Sequence, residues 1–379
     1  MKIRFSQPVI VGRELEYLRE AVQQRHLSSN GPFTHRCETW LAASMNAPRA
    51  HLTHSATAGL ELTALLAELG PGDEVIMPSF AFVSCANAVA LRGATPVFAD
   101  VRSDTLNLDP KEAAAAITPR TRAIIVVHYA GVPCDMADYM ALAERHGLIV
   151  IEDAAQALMS SYRQKPAGAL GHLGVISFHD TKNVMSGEGG AVIINDARFL
   201  ERAEIIHQKG TDRSAFNRGQ MSRYSWIDLG SSFAPSEITA AVLLAQLECA
   251  EEVTRSRRVI WERYQSAFEP LEAAGIARRP AVPDDVAHNG HLYYLLVQTE
   301  DVRNQYIAAM EARGITTPFH FIPLDNTAGG RRFARAHGEL PITHSIARRL
   351  VRLPLWLGMD DEQHVVIDAT LEILDRTVK

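Results

Sequence analysis

Cysteine is scarce and unpaired in this chain: Cys37, Cys85, Cys134 and Cys249 stand far apart and form no Cys-x-x-Cys pair. That excludes a disulfide framework or a zinc cluster as the organising element, and the four are expected to be buried reduced thiols. Long apolar runs are missing too: no stretch reaches 18 residues, so nothing is expected to span a bilayer. The opening Met1-Lys-Ile-Arg-Phe-Ser-Gln-Pro-Val-Ile runs into the charged Gly12-Arg-Glu-Leu-Glu-Tyr-Leu-Arg-Glu instead of a signal-peptide core, and a cytoplasmic enzyme is the expectation. There is no excess of positive charge: 38 Lys and Arg stand against 44 Asp and Glu, for a formal net charge of -6. This argues against a nucleic-acid or polybasic membrane partner and for a small molecule. The Gly-x-Gly-x-x-Gly fingerprint and the Walker lysine are absent, which removes the usual grounds for NAD or ATP binding.

What is present is an ordinary globular composition, 47% hydrophobic and 22% charged, spread over 379 residues, long enough for two cores. Between about residues 50 and 200, strand-like runs (Val75-Ile-Met77, Pro96-Val-Phe-Ala99, Ala123-Ile-Ile-Val-Val127, Leu148-Ile-Val-Ile151, and residues 174–179 and 190–195) alternate with helical patterns. That alternation predicts an α/β fold with a mostly parallel sheet buried on both faces. Helices are expected over 56–69, before Gly70-Pro-Gly72, and over 136–146, before Gly147. Residues 236–264 read as one long helical stretch bridging two domains; beyond it a strand over 292–297 and helices over 302–313 and 361–374 suggest a compact α+β unit.

Lys182 lies in Ser177-Phe-His-Asp-Thr-Lys-Asn-Val-Met-Ser-Gly-Glu-Gly-Gly190, between a buried strand and a glycine-rich bend that re-enters another. A partly desolvated lysine there would have its pKa lowered toward a nucleophilic, Schiff-base-forming amine. On position alone a surface lysine is the better reading. Asp153, at the end of the run Leu148-Ile-Val-Ile-Glu-Asp153, needs a cation: an arginine, a helix N-terminus or a protonated pyridine nitrogen. Ser55-Ala-Thr57 can open a helix whose free N–H groups would hold a phosphate, or can simply cap it. Phe82, just past another strand end, is either core or a face for a ring to stack on. The His51/His54 and His288/His291 pairs have i, i+3 spacing without further ligands, so packing is favoured over metal. A lysine, an aspartate, a phosphate-binding helix start and an aromatic at strand ends together match the needs of pyridoxal 5'-phosphate (PLP).

Ordered motifs extend this match over nearly the whole chain: Ser55-Ala-Thr-Ala, Gly72-Asp-Glu-Val-Ile-Met-Pro-Ser-Phe, Val127-His-Tyr-Ala-Gly131, Ile151-Glu-Asp-Ala-Ala-Gln156, Ser177-Phe-His-Asp-Thr-Lys182, Gly187-Glu-Gly-Gly190 and Arg352-Leu-Pro-Leu355. The sequence resembles the DegT/StrS-type sugar aminotransferases of the PLP-dependent fold type I, the aspartate-aminotransferase-like fold. The resemblance implies a large PLP-binding domain over residues 1–250, with an N-terminal helix, and a small C-terminal domain over 251–379. It implies that Lys182 is the Schiff-base lysine and proton shuttle, and that Asp153 pairs with the pyridine nitrogen. Gln156 would lie against the ring or its 3'-oxygen, Phe82 would stack on the ring, and Ala56, Thr57 and Ser177 would hold the phosphate. His179 receives no catalytic role. A homodimer is implied, with Ser232 of a second subunit near the phosphate.

The chain departs from the family at Leu229-Gly-Ser-Ser232-Phe-Ala234, where many members carry asparagine and then arginine, and at Asp325, where relatives often have histidine. The Gly-Ser-Ser form, with Lys209-Gly-Thr-Asp-Arg213 and Tyr224-Ser-Trp226, resembles the branch that makes dTDP-4-amino-4,6-dideoxygalactose. By that resemblance the substrates are a nucleotide-linked 4-keto sugar and L-glutamate, with Arg213 and His320 among the substrate-binding residues and no metal. The gluco epimer is the nearest alternative. A sugar 3-dehydratase is disfavoured because such relatives typically replace the lysine with histidine. A non-catalytic PLP-binding protein would have a broken catalytic set, whereas Lys182 and Asp153 are both present.

Overall fold

A computed structural model of the chain describes residues 2–377; Met1 and residues 378–379, at the ends of the expected domains, lie outside them. Seven strands carry the larger sheet: β1 (Arg49–Thr53), β2 (Glu74–Pro78), β3 (Thr95–Ala99), β4 (Thr121–Val127), β5 (Ile149–Asp153), β6 (Leu173–Ser177) and β7 (Gly190–Ile194). Their order is β1-β7-β6-β5-β4-β2-β3, and the two-residue strand Arg335–Ala336 adds at the β3 edge. β7 pairs antiparallel with both β6 and β1, and the other pairs are parallel.

The strands are short continuous apolar runs because both faces are covered. Alternation sorts their side chains: Val175, Val192 and Ile194 pack toward the helix Ala56–Leu66, while Ile176, Ala191 and Ile193 pack toward the helices Glu14–Gln24, Pro32–Ser44 and Glu237–Glu248. Truncating a fully buried isoleucine such as Ile176 to alanine costs about 2–5 kcal/mol. The helix Met136–His146 stops at Gly147, whose φ of 65° is open to glycine at little steric cost.

The expected single helix from residue 236 is instead two, Glu237–Glu248 and Ala250–Ala267, meeting at Cys249. The break has a packing reason. The first half covers the large sheet beside the N-terminal helices, while Ile260, Trp261 and Tyr264 of the second half pack on a separate antiparallel sheet. That sheet runs Ala277–Arg278, Tyr293–Val297, Leu350–Leu353 and packs against the final helix, Asp360–Thr377.

Candidate active site

β1, β4, β5 and β6 end, and β7 begins, on one edge of the large sheet, the edge at which α/β folds place ligands. A cavity of about 590 Å³ opens there. Ala56, Thr57, Phe82, Asp153, Gln156, Ser177, Lys182 and His320 all line it. Of the residues named from sequence, Arg213 and Ser232 are not brought into this chain's cavity. Both are exposed, Arg213 on the short helix Arg213–Asn217 and Ser232 bridged to Gln208.

Lys182 sits in the hairpin that joins β6 to the reversed strand β7. The loop is tied across its base by Phe178 N–H to Gly189 O (2.8 Å) and Asp180 N–H to Gly187 O (2.9 Å), and Lys182 N–H donates to His179 O (2.9 Å). Burial lowers the pKa of the Lys182 amine; Asp153 works against that shift and Arg352 adds to it. The amine is thus biased toward its neutral, nucleophilic form.

Asp153 ends β5 almost sealed from solvent. Its Oδ1 accepts from Ala155 N–H (3.0 Å) and its Oδ2 from the Cys85 thiol (2.9 Å). Among the described residues no lysine or arginine forms an ion pair with it, so its lone pairs remain available to a cation in the cavity. The residue before it, Glu152, points the other way into a fully buried cluster. There it accepts from the N–H groups of Gly168, Leu170 and Gly171 and from His128 Nε2. Gln156 Oε1 accepts from Ala130 N–H (2.7 Å), which leaves the amide NH2 free.

At the other end of the cavity Ser55 caps the helix Ala56–Leu66 through Ala58 N–H (3.1 Å), while the N–H groups of Ala56 and Thr57 have no acceptor among the described residues. Gly190 presses against this turn: a Cβ there would lie 2.5 Å from Ala56 N. Only glycine lets the backbone approach so closely. Ser177 stands beside the same helix start at the end of β6. Free donors, a helix N-terminus, a nearly sealed carboxylate, a 58% exposed phenylalanine face at Phe82 and a depressed lysine are the donor set that PLP requires.

The second wall comes from the C-terminal third. Tyr129 Oη and His320 Nδ1 share a hydrogen bond (2.8 Å), which leaves Nε2 as the free ring nitrogen. Burial drives the His320 pKa well below its ordinary value, with Arg352 and Lys182 adding to the effect. Arg352 donates to Phe319 O and lies over the Phe5 ring, 4.5 Å from its centroid. Asp325 is not in the cavity; it is held by Ser79 and by His344 Nε2 (2.7 Å) and anchors the loop after Phe321. Sequence reading missed Arg257 and His291, which also line the cavity. The His288/His291 spacing favours packing, and no local pattern separates a packed histidine from one that lines a cavity. Among the described residues no group of three or more His, Cys, Asp or Glu side chains could hold a metal ion.

The DegT/DnrJ/EryC1/StrS aminotransferase family profile matches residues 8–371. The spore coat polysaccharide biosynthesis protein SpsC of Bacillus subtilis is 35% identical over 380 residues, covering 98% of this chain and 96% of that protein. Among solved structures, the aminotransferase TlmJ from Streptoalloteichus hindustanus aligns with a TM-score of 0.91 at 30% identity over 100% of both chains. Spr1654 from Streptococcus pneumoniae, assigned as a sugar aminotransferase, aligns in its PMP form with a TM-score of 0.92 at 26% identity, over 99% of this chain and 100% of that one. The architecture is the PLP-dependent fold type I.

Proposed function

The chain belongs to the DegT/DnrJ/EryC1/StrS aminotransferase family, and on that premise we propose that it moves an amino group from L-glutamate to a nucleotide-linked 4-keto-6-deoxy sugar. The sugar is dTDP-4-keto-6-deoxyglucose, and the products are dTDP-4-amino-4,6-dideoxygalactose and 2-oxoglutarate. The enzyme is PLP-dependent, and when bound this cofactor supplies the electron sink through which the amino group is carried. The observation that carries the reading is a depressed lysine and an unpaired, nearly sealed aspartate in one cavity whose far end is a free helix N-terminus.

Each residue then has a task. Ala56 and Thr57 N–H groups and Ser177 hold the phosphate, Asp153 holds the protonated ring nitrogen, Phe82 covers the ring face, and Gln156 stands beside the ring or its 3'-oxygen. Lys182 Nζ takes a proton from the donor's Cα and returns one to C4 of the sugar, and its lowered pKa suits it to both directions. His320 and Arg213 meet the substrate. The carbon receiving the proton has two faces, and the galacto product is the one the branch resemblance favours.

A homodimer is part of the same proposal, with Ser232 of a second copy reaching the phosphate. The exposed apolar segment that includes Trp226 (77% exposed), Ile227 and Leu229 supports it, since such a patch is usually covered. The division near residue 250 also belongs to the proposal; it is supported by the break at Cys249, although Arg335–Ala336 pairs back onto β3. The test begins with absorbance: purified enzyme should carry the lysine-bound PLP band and lose it on adding L-glutamate. Incubation with glutamate and dTDP-4-keto-6-deoxyglucose, followed by NMR of the product, identifies the epimer. Absence of any 4-amino sugar would remove the sugar assignment.

A further inference from the structure

The charged side chains on the second wall of the cavity, Arg257 and Arg352, are hydrogen-bond donors, and His320 shares its Nδ1 with the Tyr129 hydroxyl. On the opposite wall the buried acceptors already have partners: Asp153 accepts from Cys85 and Ala155, and Gln156 Oε1 from Ala130. His291 differs from all of these.

Its tautomer can be worked out from the neighbouring bonds. Asn183, the residue after Lys182, is 4% exposed and donates through Nδ2 to Asn289 O (3.0 Å). That bond sets the amide orientation and turns Oδ1 toward His291 Nδ1 (3.1 Å). A flipped amide would set two carbonyl oxygens against each other. The His291 proton is therefore on Nδ1, and Nε2 carries a lone pair. The backbone that carries the ring is held from both sides: His291 N–H donates to Asn289 Oδ1 (3.0 Å), and Arg257 Nη2 donates to His291 O (2.6 Å). Asn289 is in turn tied to Gln156 O and Leu158 O, both 2.9 Å away. Burial, reinforced by the positive charges of Arg257 and Arg352, keeps the imidazole neutral, so Nε2 remains an acceptor. Among the described residues Nε2 has no protein partner, and it is not one of the sealed unsatisfied atoms; it opens on the cavity.

We propose that His291 is a specificity-determining residue whose Nε2 accepts a hydrogen bond from the hydroxyl next to the reacting carbonyl of the amino-accepting sugar. The inference rests on the sugar reading above. In a 4-keto-6-deoxy sugar C5 bears the methyl group, so the hydroxyl adjacent to the carbonyl is the one on C3. A carbonyl carbon within reach of Lys182 brings that hydroxyl to the neighbourhood of His291, which the residue after Lys182 clamps. A site built around a fixed acceptor rejects a substrate lacking the matching donor, because the buried lone pair is then left unpaired.

Two measurements on the PLP-loaded enzyme test this. ¹⁵N NMR of the histidine side chains, with His291 assigned by its loss in His291→Gln, should show a protonated Nδ1 and a bare Nε2; the opposite tautomer overturns the proposal. Amination of the 4-keto-6-deoxy sugar nucleotide and of its 3-deoxy analogue should differ in kcat/KM by about 10–100-fold in the native enzyme. His291→Phe should bring the ratio within about 3-fold, and His291→Gln, which keeps a carbonyl acceptor, should restore part of it. Because the ratio is taken within each variant, a general loss of activity cancels. A His291→Phe enzyme that keeps the native ratio overturns the role of His291 and leaves the sugar reading standing. A native enzyme that consumes glutamate but aminates neither sugar overturns the sugar reading, and this inference with it.

Discussion

Replacing Glu152 with glutamine changes one atom and should damage the fold as much as a large-to-small substitution in the core. Glu152 Oε1 accepts from Leu170 N–H (2.7 Å) and Gly171 N–H (2.5 Å), and Oε2 accepts from Gly168 N–H (2.8 Å) and His128 Nε2–H (2.8 Å). Whichever way the new amide turns, its NH2 group faces two donors. His128 cannot adapt by moving its proton, because its Nδ1 already accepts from Cys134 N–H (3.1 Å). Two charge-assisted bonds are lost in a site that is 0% exposed at both side chains, and water cannot replace them. At about 1.5–3 kcal/mol for each bond to a charged group, the expected loss is roughly 3–5 kcal/mol. The assay is urea unfolding of PLP-loaded enzyme at one protein concentration, followed by circular dichroism. A loss below about 1 kcal/mol would falsify the view that one carboxylate organises these four donors.

Lys182→Ala should fold normally, fail to show the lysine-bound PLP band and lose transfer activity on the order of 10⁴-fold, read by absorbance and steady-state kinetics. Gly190→Ala forces a Cβ to within 2.5 Å of Ala56 N unless the backbone moves. PLP affinity should fall about 10-fold, with a destabilisation of about 1–3 kcal/mol, measured by cofactor titration and by thermal melting. The pH dependence of stability follows from two buried histidines, His207 and His288, whose pKa values burial lowers to about 4 from 6.5. Their native forms bind fewer protons than the unfolded chain, so their contribution is complete above pH 6.5 and is lost as pH falls through 4. Between those limits each contributes a slope approaching 1.4 kcal/mol per pH unit. His207→Gln can keep the donor to Leu52 O while removing the titration, and should flatten the slope; an unchanged slope would refute the assignment.

Strands β2 to β7 were legible because each is a short apolar run ending at turn residues, and a run buried on both faces needs no distant partner to be recognised; β1, where Arg49 and His51 interrupt the apolar residues, was not. Lys182, Asp153 and Thr57 were legible for a related reason: each stands at a strand end, and a parallel sheet collects such ends on one edge. The helix break at Cys249 was not. Residues 236–264 have unbroken helical character, and what divides them is the existence of two separate cores, a long-range fact. His291 and Arg257 were not legible either. Their neighbours, Asn183 and the backbone of residues 290–291, are about 108 and 33 residues away in sequence, and a buried histidine that packs looks the same in sequence as one that faces a ligand.

Taken alone, the sequence determined the α/β class and most of the strands that meet at the cavity, because those depend on local periodicity, while PLP dependence was legible in ordered motifs that resemble the family. The tertiary structure decided which side chains from the C-terminal third close that cavity, which ring nitrogen each histidine turns toward it, and that Arg213 and Ser232 stay outside it within one chain. Those outcomes depend on hydrogen-bond partners supplied by distant segments, which exist only once the chain has packed.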